Sequence, residues 1–254
     1  MTTECEGGHL AGSLSCIDIL IALYFEVLNH RPDQPDWPKR DRFILSKGHG
    51  APAFYVALAM SGYFPEEELL TLRKIGSRLQ GHPDSKKLPG IEISTGSLGQ
   101  GLSAAVGMAL GYKIDGRDLS KVFCLMGDGE CDEGQVWEAA MFASHNELGN
   151  ITAIIDRNGY QVDGRTEEVL RLEPLGSKWK SFGWKVSEID GHNMEQIVDV
   201  LEKSRGVRSL VIANTVKGKG VSFLENNNAY HSKPCSRNDC DIAIKELEEE
   251  LINI

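Results

Sequence analysis

Apolar residues follow two rhythms along this chain. At 122–126 they form a short run with no polar interruption, the pattern of a strand buried on both faces, and 151–156 reads as a second such strand. Further strands are predicted at 42–46, 184–189 and 209–214. Between them the apolar positions recur at helical spacing. Ile17, Leu20, Ile21, Tyr24 and Leu28 form one stripe of a helix predicted at 16–28 with Ser15 as its N-cap. Val136, Trp137, Ala140, Met141 and Ala143 form another, within 133–148. Helices are also predicted at 51–61, 65–75, 102–112, 174–182, 194–203 and 238–251. The 65–75 helix has Pro in its first turn and acids just after it, as the helix dipole favours. The repeated β-α-β-α-β order argues for an α/β fold, a doubly wound parallel sheet with helices on both faces.

The stretch 121–160 organises this pattern. Gly127-Asp128-Gly129 follows the 122–126 strand at once, and two glycines around one carboxylate let the backbone turn sharply and approach a ligand. Asn158 lies two residues past the 151–156 strand. Both side chains therefore sit at the carboxyl ends of strands joined by one crossover helix, where open α/β sheets bind ligands. A carboxylate, an amide oxygen and a nearby backbone carbonyl are hard ligands suited to Mg²⁺ or Ca²⁺, with room left for water and phosphate oxygens. The N–H of Gly129 would be open to a phosphate. A plain β-turn followed by a loop is the alternative, and the strand–helix–strand–Asn setting favours the site.

Composition narrows the classes. The 254 residues suffice for one large domain or two small ones. A net charge of −10 gives no electrostatic support to nucleic-acid binding. No apolar run approaches the ~18 residues of a membrane span. Cys5, Cys16, Cys124, Cys131, Cys235 and Cys240 are scattered without a CxxC pair, so reduced thiols in a cytoplasmic protein are expected. Pro32, Pro35 and Pro38 mark a loop at 31–40, 76–95 is long and irregular, and 159–172 is a polar loop. The 215–232 segment, with Lys217 and Lys219 beside Gly218 and Gly220, reads as basic and flexible, suited to a phosphate or to a solvated surface.

Six ordered motifs then stand out: GGHLAGS from Gly7, SKGH from Ser46, GHPD from Gly81, STGSLGQG from Ser94, GDGECDEG from Gly127 with Asn158, and KGKG from Lys217 with Tyr230-His231. In order and spacing they resemble the N-terminal, diphosphate-binding part of transketolase over essentially the whole chain. The resemblance implies a thiamine-diphosphate-binding fold (the PP domain) as one domain over 1–254. It implies that Asp128, Asn158 and the carbonyl of Tyr160 hold a divalent metal, Mg²⁺ with Ca²⁺ as the alternative. Gly129, His49, Gly96, Ser97, Leu98, Lys217 and His231 would contact thiamine diphosphate. His9, His82 and His231 would serve the substrate as polarising and proton-shuttling groups, and Glu133 would join a carboxylate relay between two cofactor sites. Departures from the family pattern are Leu10 where many members have Pro, Gly12 where some have a cofactor-contacting Ser, and Tyr230-His231-Ser232 for the usual WHG. Asp190-Gly191-His192 resembles a family turn, with His192 read as structural. Members usually carry a helix before the first motif, and eight residues precede His9, so a shortened start is expected.

Transketolases continue into a pyrimidine-binding domain and a third domain. The resemblance therefore implies a split enzyme of the pentose phosphate route or of specialised sugar breakdown. A C-terminal subunit carrying the pyrimidine-binding domain would complete each site in an α2β2 assembly, acting on sugar phosphates by two-carbon ketol transfer. The alternatives are a cofactor-binding paralogue without catalysis and a subunit of another thiamine-diphosphate enzyme.

Overall fold

A computed structural model of the protein describes residues 1–116 and 120–252. In chain order the elements are α1 (Leu10–Leu14), α2 (Ile17–Ala22), β1 (Arg42–Leu45), α3 (Ala51–Met60), α4 (Gln100–Ile114), β2 (Val122–Gly127), α5 (Gly134–His145) and β3 (Ile151–Arg157). A small hairpin of β4 (Tyr160–Gln161) and β5 (Gly164–Arg165) follows, then α6 (Thr166–Val169), α7 (Leu175–Ser181), β6 (Lys185–Asp190), α8 (Met194–Lys203), β7 (Ser209–Asn214) and α9 (Arg237–Ile252).

Five strands form one parallel sheet in the order β1-β2-β3-β7-β6. Successive side chains of a strand point to opposite faces, and this alternation sorts the core into two layers. Phe43, Leu45, Phe123, Leu125, Ile154 and Val211 pack with α2, α3 and α8 on one face. Ile44, Cys124, Met126, Ala153, Ile155 and Ile212 pack with α4, α5 and α7 on the other. Strands covered on both sides need no polar face, which is why β2 is buried at all six positions. The chain steps from β1 through β2 and β3 to β6, then turns back through α8 to insert β7 between β6 and β3. Burying each large aliphatic or aromatic side chain here contributes about 1.5–3 kcal/mol. Among the described residues no helix is long and apolar enough to cross a membrane, and all six cysteines are free thiols.

Three sequence expectations are corrected. The helix expected at 16–28 forms over 17–27, but Ser15 closes α1 rather than capping it, because its hydroxyl is committed to Gly12 O (3.0 Å) and to Asp156 Oδ2 (2.6 Å). The end of that segment, Leu23–Val27, is a wider π-turn. The helix expected at 65–75 is only a 3₁₀ segment, Glu66–Thr71. Leu69 and Leu72 turn to the core while Leu70 and Ile75 are exposed, so the stretch has no continuous apolar stripe along a longer helix, and Arg73 follows it in the left-handed region at φ 60°. The 215–232 segment is folded rather than flexible, with Lys217 only 1% exposed. His192 is structural as expected: its Nδ1 meets Asp18 Oδ2 at 2.7 Å, and its Nε2 accepts the Val216 N–H at 2.8 Å. It ties α2 to the chain leaving β7.

Candidate active site at the carboxyl edge of the sheet

Four motif loops leave the carboxyl ends of β1, β2 and β3 and the start of α4, and they fit together only because of their glycines. A Cβ on Gly48 would lie 2.7 Å from Thr95 Oγ1 and 2.8 Å from Gly96 N, so the SKGH turn presses backbone to backbone against the STGSLGQG loop. A Cβ on Gly101 would lie 2.3 Å from Ser46 Oγ. One buried carboxylate joins these loops. Glu130 accepts the Gly99 N–H (2.9 Å) and the Ser46 hydroxyl on Oε1, and the Gly127 N–H on Oε2 (3.1 Å). Burial raises its pKa, and the three donors oppose that rise.

A second buried charge forms the floor. The Lys47 ammonium, 1% exposed, donates to Asp156 Oδ2 and to Gly12 O at 2.9 Å. Asp156 is fully buried and also receives the hydroxyls of Ser15 (2.6 Å) and Thr215. Burial alone would raise its pKa, and the Lys47 charge with these donors overcomes that and holds it below the ordinary carboxylate value.

Asp128 and Asn158 come together beside this floor, lining one cavity of about 380 Å³ together with Tyr160. Asp128 Oδ1 accepts Gly129 N (2.8 Å), while Oδ2 accepts Gly159 N (2.6 Å) and Arg157 Nη1 (3.1 Å). Burial and the negative charge of Asp156 push its pKa up to about 6, against the pull of these donors. Asn158 Oδ1 accepts Tyr160 N at 3.0 Å. An ionised carboxylate offers about four lone-pair sites and an amide oxygen two, so each group retains a free one. The donor set of carboxylate, amide and backbone carbonyl suits a hard divalent ion. Among the described residues no three His, Cys, Asp or Glu side chains gather to hold a metal. The buried Gln161 Oε1, on the cavity wall against Gly129, has no partner. That orphan acceptor suits a cation, a water or a donor hydroxyl, and the glycine-lined wall lets the backbone N–H of Gly129 face a polar ligand such as a diphosphate.

Four histidines from four motifs cover the other side of the cavity. The His9 ring centroid lies 5.3 Å from His49, 6.3 Å from His82 and 5.4 Å from His231, and His49 lies 5.6 Å from His231. Burial lowers the pKa of all four, to about 4 for His9 and for His231, so they are neutral imidazoles at pH 7. His9 Nδ1 is buried without a partner. His231 Nδ1 meets the Lys217 ammonium at 2.9 Å. Burial and the charge of Lys47 bring Lys217 itself down to about 8.

Most of the residues singled out from sequence meet at this cavity: His9, His49, His82, Gly96, Leu98, Asp128, Gly129, Glu133, Asn158, Tyr160 and His231 line it. Ser97 is exposed and does not line it, while Lys217 is buried and reaches His231 by its ammonium. Sequence reasoning missed Lys47, Glu130, Asp156 and Gln161. Lys47 and Glu130 stood inside recognised motifs, and a charge at the end of a buried strand was the signal for Asp156.

The comparisons with known proteins agree with this geometry. The family described as "Transketolase, thiamine diphosphate binding domain" matches residues 1–249. A protein named 6-deoxy-6-sulfo-D-fructose transketolase subunit SqwG, from Clostridium sp., is 49% identical over 96% of this chain and 89% of its own length. A subunit of the apulose-4-phosphate transketolase of Phocaeicola vulgatus is 43% identical over 98% of this chain and 89% of its own. The crystal structure of Campylobacter jejuni transketolase superposes with a TM-score of 0.90 at 33% identity, over 96% of this chain but 40% of the larger one. With the sheet, the loop order and these matches in agreement, the chain belongs to the family of transketolase thiamine-diphosphate-binding domains.

Proposed function

We propose that this chain is the cofactor-anchoring subunit of a two-subunit transketolase, one thiamine-diphosphate-binding domain over 1–254 acting in the cytoplasm. The observation that carries the reading is the meeting of four neutral histidines over the Asp128–Asn158 pair in one cavity. Asp128, Asn158 Oδ1 and the Tyr160 carbonyl would hold Mg²⁺, or Ca²⁺ in its place. The Gly129 backbone, His49 and Lys217 would grip the diphosphate. When bound, thiamine diphosphate supplies the nucleophilic carbon and the electron sink that ketol transfer needs.

The chain's own residues do the positioning and proton handling. Neutral imidazoles both donate and accept, so His9, His82 and His231 suit sugar hydroxyls that must be held and whose protons must move. Glu133 stands exposed at the cavity edge, open to a neighbouring subunit. The partner is a chain carrying a pyrimidine-binding domain, in an α2β2 assembly. Two relatives support the existence of a partner subunit, since both are named as transketolase subunits. Their printed substrates, a sulfonated ketose and a phosphorylated one, support an anionic sugar as the substrate class here.

Calorimetric titration of thiamine diphosphate with Mg²⁺ tests the reading, with and without the partner, beside Asp128→Ala. Binding that tightens with the partner and vanishes in the variant is expected. Absence of binding in both conditions overturns it.

A further inference from the structure

We infer that Arg157 tilts the metal site towards Mg²⁺ and away from Ca²⁺, because its guanidinium occupies Oδ2 of Asp128 and leaves the ion a single carboxylate oxygen. This rests on the transketolase reading and names a selectivity-determining residue within it.

Arg157 is the last residue of β3, and the sheet fixes its backbone, since its carbonyl accepts the Thr215 N–H at 3.2 Å. Its side chain is 12% exposed and is engaged at both ends of the guanidinium fork. Nη1 donates to Asp128 Oδ2 (3.1 Å) and to Thr166 Oγ1 (2.7 Å). Nη2 donates to Glu167 Oε1 (2.9 Å) and to Glu173 Oε1 (3.1 Å). Those two carboxylates are held in turn: Glu167 accepts the Leu172 N–H at 3.2 Å, and Glu173 the Leu175 N–H at 2.9 Å. The seat also reaches the loop of the metal ligands, because the Thr166 N–H donates to Gly159 O at 3.0 Å. A rigid planar fork gripped on both sides has little freedom to leave Oδ2.

The lone pairs then set how the ion can be held. Each carboxylate oxygen has about two acceptor sites. Oδ2 of Asp128 uses both, on the Gly159 N–H (2.6 Å) and on Arg157 (3.1 Å). Oδ1 accepts the Gly129 N–H (2.8 Å) and keeps a site for a cation. Asn158 likewise keeps one on Oδ1, which accepts the Tyr160 N–H (3.0 Å), while its Nδ2 is turned to Asp156 Oδ2 at 3.3 Å.

The protein thus offers single oxygens, from Asp128, Asn158 and the Tyr160 carbonyl. Together with diphosphate oxygens and water they suit the octahedron that Mg²⁺ demands. Ca²⁺ takes about six to eight oxygens and draws on bidentate carboxylates. Asp128 cannot act in that way while Arg157 holds Oδ2. The guanidinium charge repels either divalent ion, so it weakens both alike and cancels in the ratio of their affinities.

That ratio is the test, read without reference to turnover. Mg²⁺ and Ca²⁺ are titrated calorimetrically into the metal-stripped, assembled two-subunit enzyme at saturating thiamine diphosphate. In Arg157→Met the freed Oδ2 should move the ratio towards Ca²⁺ by about tenfold, the scale on which partners of metal ligands act. Arg157→Lys returns a cation and a donor to the seat and should bring the ratio part of the way back. Arg157→Gln is too short to reach Oδ2 and keeps a polar group in the seat. It should shift the ratio as Arg157→Met does, and it serves if the methionine variant does not fold. Equal changes for the two ions in the Met and Gln variants overturn the inference and leave the transketolase reading standing. If the wild-type enzyme binds neither ion with thiamine diphosphate, the metal centre fails, and the inference with it.

Discussion

Glu130 Oε1 accepts the backbone N–H of Gly99 at 2.9 Å, and with its bonds to Ser46 and Gly127 it fastens three ligand-facing loops to one carboxylate. The group is 2% exposed, so its removal leaves three buried donors without an acceptor. Glu130→Ala should therefore destabilise the fold by about 2–4 kcal/mol and weaken thiamine diphosphate binding. Glu130→Gln keeps one acceptor but turns an N–H towards another donor, so it should fall between. Urea unfolding and calorimetric titration check both. A variant with wild-type stability and affinity would remove Glu130 from this role.

Lys47 and Asp156 form a buried ion pair, 1% and 0% exposed. Truncating one partner strands the other charge, so Lys47→Met and Asp156→Leu should each cost about 3–5 kcal/mol. The double variant should cost much less than the sum, because no charge is then left unpaired. A double-mutant cycle by urea unfolding measures this coupling, and additive losses would contradict it.

The contrast between such pairs and Asp128 explains what the sequence made legible. Asp128 and Asn158 were found because each sits one or two residues past a strand end, so position along the chain reports position at the sheet edge. The inner strands were found for the same kind of reason, since parallel strands covered on both faces are apolar at nearly every position, whereas the edge strand β6 is half-buried or exposed throughout and shows only Val186 and Ile189 as apolar positions. Glu130 and Asp156 were missed because their partners lie far away in sequence. Ser46 is 84 residues from Glu130, and Lys47 is 109 from Asp156. Ser15 misled for a related reason. A serine before an apolar stripe is a good N-cap by local rules, but here a tertiary acceptor, Asp156, took its hydroxyl. At 65–75 the acids and the proline signalled a helix start, and nothing local revealed that Leu70 would find no core.

The neutral histidines give the protein a pH signature. Burial pushes His9 from 6.5 to about 4, and His231 likewise. The unfolded chain takes up these protons as pH falls through 6.5, the folded chain only near 4, so the folded state binds fewer protons between. Their contribution is full above 6.5 and is lost as pH falls to about 4. Asp128 acts in the opposite sense. Its pKa, raised to about 6, stabilises the folded state as pH falls from there towards 3.8. His9→Gln isolates one histidine from this mixture. On going from about pH 7.5 to about pH 5, the wild-type urea midpoint should drop further than that of the variant. Parallel profiles would mean that His9 is not held neutral.

His231 should carry its single proton on Nε2. The Lys217 ammonium stands 2.9 Å from His231 Nδ1 and 2.7 Å from Asn228 Oδ1. An ammonium has no lone pair, so Nδ1 must accept and cannot bear a proton. Lys217, with a pKa of about 8, remains mostly charged at pH 7, and His231, at about 4, remains neutral. Nitrogen-15 correlation spectra at pH 7 should therefore report the Nε2–H form for His231 and a bare Nδ1. In Lys217→Met the constraint disappears, the two forms should mix, and the His231 pKa should rise as a neighbouring cation is lost. The same variant should weaken thiamine diphosphate binding, since it removes a cation and frees the donor that Lys217 orients. A predominant Nδ1–H form in the wild type would mean that Lys217 is neutral there, and the diphosphate grip would then have to rest on the backbone of Gly129 and on His49.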